Sequence, residues 1–180
     1  TIVATTGNFK TDKYGDYRIY GQNNSVTGAA DRITSAGSMT IVGADGTQSV
    51  AYAATDTVKD IAQSINLVAD TTGVTASAIT EMDMTFGAAA SGTYQITLQG
   101  DNTTAITASF NLASGTGIES LSSAVQSIND HSAKTGIVAK VKDDGTAVVL
   151  THYDGQNITV GDTTYTNAGV ITLAGGAGVS

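Results

Sequence analysis

The chain has 180 residues with 16 acidic and 8 basic side chains, a formal net charge of −8, and neither cysteine nor proline. That balance excludes nucleic-acid binding, which needs Lys and Arg to displace counterions from phosphates, and the missing cysteine excludes a disulfide framework or thiolate metal site. Hydrophobic residues make up 41% of the chain but aromatics only 6% and charged residues 13%, so a thin core under a surface of hydroxyls and amides is expected, with about half the usual share of charge.

No run of 18 apolar residues occurs, so no transmembrane helix is expected and no membrane partner. The opening Thr1-Ile2-Val3-Ala4 has neither Met nor a leader pattern, and a piece of a longer chain is the expectation. Lys10, Lys13, Arg18 and Arg32 cluster near the start, whereas Lys59 is the one basic residue between Gly43 and Ala133. The middle is therefore an acidic surface that repels copies of itself and stays soluble.

In chain order, residues 1–36 read as a β-rich leading segment. Within it Tyr14, Tyr17 and Tyr20 alternate with polar residues, beside Lys13 and Arg18, as on an exposed edge strand or a contact to a neighbouring subunit. Residues 37–88 form a first unit. Met39–Val42 and Gln48–Tyr52 are strands joined by the turn signal Ala44-Asp45-Gly46. Val58, Ile61, Ala62, Ile65 and Val68 then keep the spacing of an amphipathic helix. Thr55, Asp56 and Thr57 supply capping oxygens, Gly73 stops the helix in a left-handed conformation, and Val74–Ile79 is a further strand.

Residues 89–162 repeat the plan. Strands Tyr94–Leu98 and Ile106–Phe110 flank Gly100-Asp101-Asn102, and a helix follows on Leu121, Ala124, Val125 and Ile128 with Glu119 and Ser120 in its first turn. Gly136 should end it before strand Ile137–Val141, which turns through Lys142-Asp143-Asp144-Gly145 into Ala147–Leu150. Gln63-Ser64-Ile65-Asn66 and Gln126-Ser127-Ile128-Asn129 are identical at an offset of 63 that also aligns Gly73 with Gly136 and Ala76 with Ala139. Residues 163–180 read as a trailing strand and a Gly-rich connection. The fold class is thus α+β: two repeated strand–strand–helix–strand units with flanking strands in mostly antiparallel sheet. Each helix should cover one face of its own sheet, with Ile65 and Ile128 as core anchors. Asn66 and Asn129 should hydrogen-bond backbone groups where the helix meets its loop.

Two strands, a helix ending in Ile-Asn, then Thr72-Gly73-Val74-Thr75-Ala76 or Thr135-Gly136-Ile137-Val138-Ala139: this pattern resembles the flagellin IN motif, and Gly37-Ser38-Met39-Thr40-Ile41 resembles its opening strand. The resemblance covers about 38–80 and 92–141. It implies the outer variable region of a flagellin, exported through the flagellar secretion system and displayed on the extracellular filament. Its partners would be other flagellin subunits in a homopolymer, with contacts between neighbouring outer domains. It also implies a structural, non-enzymatic role without cofactor, whose motif residues are Ile65, Asn66, Gly73, Ile128, Asn129 and Gly136. The long heptad-bearing helices of flagellin ends are not in this sequence. A hook-associated or filament-cap protein domain is the alternative, and an adhesin or glycan-binding module a third class.

Other chemistry is thin. Asp130-His131-Ser132 cannot converge as a triad, because three consecutive side chains do not point into one site. His152 is expected to be exposed, and the two histidines lack metal-ligand spacing. Asp143-Asp144-Gly145 and Asp154-Gly155-Gln156-Asn157 lack the calcium-loop spacing and read as turns. Glu81 and Asp83 share a strand face without the aromatic sugar platforms of a glycosidase. The Gly-rich stretch Gly169 to Gly178 lacks a phosphate loop's Lys-Ser/Thr end and reads as a flexible connection.

Overall fold

The computed structural model describes residues 35–87 and 91–175. The expected strand Tyr14–Tyr20, and the leading segment apart from its last two residues, lie outside them. The fold is α+β and every strand pairing is antiparallel.

β1 (Gly37–Val42) and β2 (Thr47–Tyr52) form a two-stranded hairpin closed by a 2.9 Å bond from Gly43 N to Gly46 O. α1 (Val58–Asn66) starts at a capping box on Thr57. The Thr57 hydroxyl accepts from Asp60 N at 3.2 Å, and the Asp60 carboxylate accepts from Thr57 N at 2.8 Å. The helix breaks after Asn66 and resumes as the single turn α2 (Ala69–Thr72), which Gly73 ends at φ 72°. Residues 74–79, expected to be a strand, carry no strand pairing; β3 begins at Thr80 and runs to Phe86.

β4 (Gly92–Gln99) and β5 (Ile106–Leu112) form the second hairpin. α3 (Ile118–Asn129) follows, then the turn α4 (Ser132–Thr135), ended by Gly136 at φ 70°. Glu119 and Ser120 stand in the first turn of α3, as expected; Gly117 at the N-cap gives no side-chain cap, and Ser120 Oγ bonds Ser114 of the preceding loop. β6 (Ile137–Val141), β7 (Val148–His152), β8 (Thr159–Gly161) and β9 (Ile171–Gly175) complete the chain. β9 lies within 163–180, read as a trailing strand and a Gly-rich connection, and it runs into the glycine-rich stretch; Leu173 is buried in the core while β9 pairs β3.

The larger sheets are ordered β6-β7-β3-β9 and β5-β4-β8. β3, from the first repeat, thus hydrogen-bonds β7 of the second and β9 of the tail, and the second repeat's two hairpins fall in different sheets. In the second copy, therefore, the helix does not simply cover one face of a single sheet, whereas α1 and α2 pack against β2 of their own hairpin. α3 lies along β5 on one side and β6 on the other, both of them sheet edges. Its polar side chains bond those edges: Ser127 Oγ donates to Ser109 O at 2.9 Å and Ser123 Oγ to Asn111 O at 2.5 Å, while Asn129 binds Ala139. Sheet edges left open are sites of unwanted pairing, and a helix laid over them removes the hazard.

One core gathers both larger sheets and α3. Leu121, Ala124 and Ile128 enter it from the helix, Tyr94, Ile96 and Leu98 from β4, and Val148 and Leu150 from β7. Three aromatics meet there: Phe86 contacts Tyr94 and Phe110 edge-on at 5.2 and 5.8 Å, and Tyr94 stacks on Phe110 at 5.7 Å. Such pairs add to what area burial gives. Burial also pushes the Tyr94 phenol up from its ordinary value. Ile128 is 0% exposed, whereas Ile65, its counterpart, is only half-buried, since α1 buries Ala62 alone.

Truncating the two isoleucines should therefore give unequal costs. Ile128→Ala is expected to lose about 2–5 kcal/mol in urea unfolding, and Ile65→Ala distinctly less; equal losses would contradict the asymmetry. Thr57→Ala should lose about 0.5–2 kcal/mol with its cap. The Thr57 backbone N–H and then its hydroxyl hold the Asp60 carboxyl below its ordinary value of 3.8. A lowered folded-state pKa stabilises above that ordinary value, and the stabilisation is lost as pH falls through the lowered one. Melting temperature followed from pH 5 downward should show a shallower acid decline in Thr57→Ala than in the parent.

Candidate functional site: a duplicated asparagine corner

The polar side chains that recur between the repeats converge at one place in each. An asparagine side chain carries one acceptor oxygen and an amino donor, the same pair that a strand residue offers through its backbone. Asn66 uses both on one residue: Nδ2 donates to Ala76 O at 2.9 Å and Oδ1 accepts from Ala76 N at 2.7 Å. Asn129 does the same with Ala139, at 3.0 and 2.7 Å. The bonds run to the segment ten residues on, past the loop where the helix ends. The side chain thus acts as a one-residue strand, exchanging both hydrogen bonds as an antiparallel pair does.

The loop between each asparagine and its partner is fixed by a threonine. Thr72 and Thr135 are both 0% exposed. Each hydroxyl donates to a carbonyl four residues back, Val68 at 3.0 Å or His131 at 3.1 Å. Each also accepts an N–H two residues ahead, Val74 or Ile137, at 3.2 Å. The same threonines' carbonyls accept from the preceding hairpin: Asp45 N to Thr72 O at 3.3 Å and Asp101 N to Thr135 O at 2.9 Å. The aspartate carboxylates then lie over the left-handed glycines. A Cβ on Gly73 would meet Asp45 Oδ2 at 2.6 Å, and one on Gly136 would collide with Asp101 Oδ2 and His152 Nε2. Glycine is required there both for its positive φ and for the closeness of its neighbours.

Of the sequence-derived residues, each corner brings together its Asn and Gly, with the Ile one position before the Asn on the helix. Thr72, Thr135, Asp45 and Asp101 belong to the corners as well. Their signal was present, since Thr-Gly occurs in both copies and an aspartate in each hairpin turn; turn chemistry alone accounted for those aspartates.

His152 is a correction. It was expected on the exposed side, yet it is 2% exposed. Residues two apart on a strand share a face, so His152 points inward with Leu150. Its Nδ1 accepts from Asp154 N at 3.3 Å and its Nε2 lies 3.3 Å from Asp101 Oδ2, which adds the end of β7 to the second corner alone. Asp83, read as one of a carboxylate pair with Glu81, is held by Lys142 Nζ at 2.7 Å. That hydrogen bond and the charge of Asp83 push the lysine pKa up. Gly145, at φ 67°, makes the expected turn, with Thr146 N donating to Asp144 Oδ1 at 2.9 Å.

A polar side chain that satisfies two backbone groups of a neighbouring segment defines a structural corner. Among known families, the flagellin hook IN motif matches residues 38–102. Over that stretch the chain is similar to a motif of flagellin-type proteins. The match takes in the first corner and the opening strand of the second copy. No curated protein matches the chain. Among the described residues no helix is long and apolar enough to cross a membrane.

Removing either amide strands a backbone N–H and C=O. Asn129→Ala and Asn66→Ala should each lose about 1–3 kcal/mol, read by urea denaturation, with the larger loss at the half-buried Asn129. Asn129→Asp keeps the acceptor and loses the donor, so at neutral pH its carboxylate should face the Ala139 carbonyl and destabilise. Denaturation midpoints matching the parent for all three variants would show that the corners hold nothing.

Proposed function

We propose that the chain is a surface-exposed outer segment of a flagellin, displayed on the outside of the flagellar filament, where it shapes the exterior rather than catalyses. The observation that carries this reading is the flagellin hook IN motif over residues 38–102, together with a second corner of the same geometry at Asn129 and Ala139. On this reading 37–88 and 89–162 are two copies of one unit, with 1–36 and 163–180 flanking them. Ile65, Asn66, Gly73, Ile128, Asn129 and Gly136 are its structural motif. Its partners are other flagellin subunits in a homopolymer, and its location is extracellular, after export.

The chemistry of the residues supports this. The recurring polar groups are spent on the chain's own backbone, as a scaffold requires and a substrate site does not. A chain without cysteine or proline can be threaded unfolded, form no crosslinks on the way, and refold without slow prolyl isomerisation. The second reading, a hook-associated protein domain, is favoured by the matching family's own description, which names the hook.

Deleting residues 37–175 from the protein in its host, then imaging the flagella, tests the proposal. Filaments of normal length with a thinner outer layer are expected, and swimming should persist. Loss of all filaments would overturn the outer-segment reading, and a defect confined to the junction of hook and filament would favour the second one.

A further inference from the structure

The two corners differ in what lies beyond them. In the second copy both edges of β6 are filled: Asn129 holds Ala139 on one, and β7 pairs the other, with Val138 opposite Thr151 and Lys140 opposite Val149. The offset of 63 puts Thr75 and Ser77 where Val138 and Lys140 stand. Asn66 holds Ala76 just as Asn129 holds Ala139. The other edge has no counterpart of β7: β3 starts its pairing at Thr80, and among the described residues the backbone groups of Thr75 and Ser77 make no hydrogen bond. Both residues are exposed. In an extended chain their N–H and C=O groups point away from those of Ala76, hence away from α1.

Natural edges are protected by charge or proline. Val74-Thr75-Ala76-Ser77-Ala78 has neither, in a chain whose net charge is −8. We propose that this edge pairs antiparallel with the same edge of a second copy of the chain. The filled second repeat shows what the slot takes, an antiparallel strand, and the segment at the open edge, uncharged and present on every copy, supplies one when two copies meet. A two-fold axis beside Ala76 sets Thr75 opposite Ser77 of the partner subunit, each such pair exchanging both backbone hydrogen bonds. The contact is isologous and closes as a dimer. It concerns the chain in solution and does not depend on a filament location.

Sedimentation velocity of the 180-residue chain over a concentration series tests it. A reversible dimer is expected. Ser77→Lys with Thr75→Lys should weaken it at least about tenfold by setting lysine opposite lysine across the axis, and Ser77→Lys alone, which sets like charges only diagonally across it, should weaken it less, with the melting temperature of dilute samples unchanged in both. Amide exchange of the unmodified chain needs no variant: the Thr75 and Ser77 amides should slow as concentration rises. A monomer at every concentration overturns the proposal, as does a dimer that both lysine variants leave intact. Amides already slow in the dilute monomer also overturn it, because a strand of the same chain would then fill the edge.

Discussion

The architecture depends on one constraint: a buried or half-buried strand edge must have its N–H and C=O groups satisfied. A sheet satisfies them by adding strands. Here the two larger sheets end at β5 and β6 without pairing to each other, and α3 occupies the seam. A helix has no free backbone to offer a strand, since its own groups are bonded within it. Its side chains make the bonds instead. Two serines serve the β5 carbonyls, and Asn129, with donor and acceptor on one amide, serves both groups of Ala139 on β6. The burial of Leu121, Ala124 and Ile128 follows, because the same helix that closes the edges also roofs the core.

The duplication separates what the corner requires from what its surroundings add. Asparagine, buried threonine, left-handed glycine and hairpin aspartate occur in both copies with nearly the same distances. The copies differ in strand count. The second has β7 behind its β6, with His152 at the end of β7 set against Asp101; among the described residues no strand pairs with 74–78, and only the turn at Gly155 lies against Ala78. Ile128 is accordingly enclosed and Ile65 only half so. A corner of side-chain and backbone bonds forms with or without the extra strand, whereas burial of the helix grows with it.

The sequence made the repeated elements legible because each is set by local periodicity or local turn chemistry. Both hairpins, both helices and both helix-ending glycines follow from the spacing of apolar residues and the demands of positive φ. Segment 74–79 was misread because β propensity cannot tell whether a pairing partner exists. The order of strands was not legible either: β3 pairs β7 and β9, partners chosen by the shape of the shared core. His152 could have been placed from parity with Leu150, since alternation along a strand puts the two on one face. The asparagine bonds were legible in kind but not in target, because ten residues separate donor and acceptor and only the folded loop brings them together.

The pairing of β3 with β9 also has a consequence in time. Thr85 donates to Thr172 O across 87 positions of sequence, and contacts so distant form slowly because a long loop must close first. As the chain emerges N-terminus first, the first hairpin, α1 and their corner can form from neighbouring residues. β3, carrying Met84 and Phe86, must wait for both β7 and β9. Residues 148–175 therefore act as the latch on the fold, and until they emerge the most buried strand of the first repeat has neither neighbour.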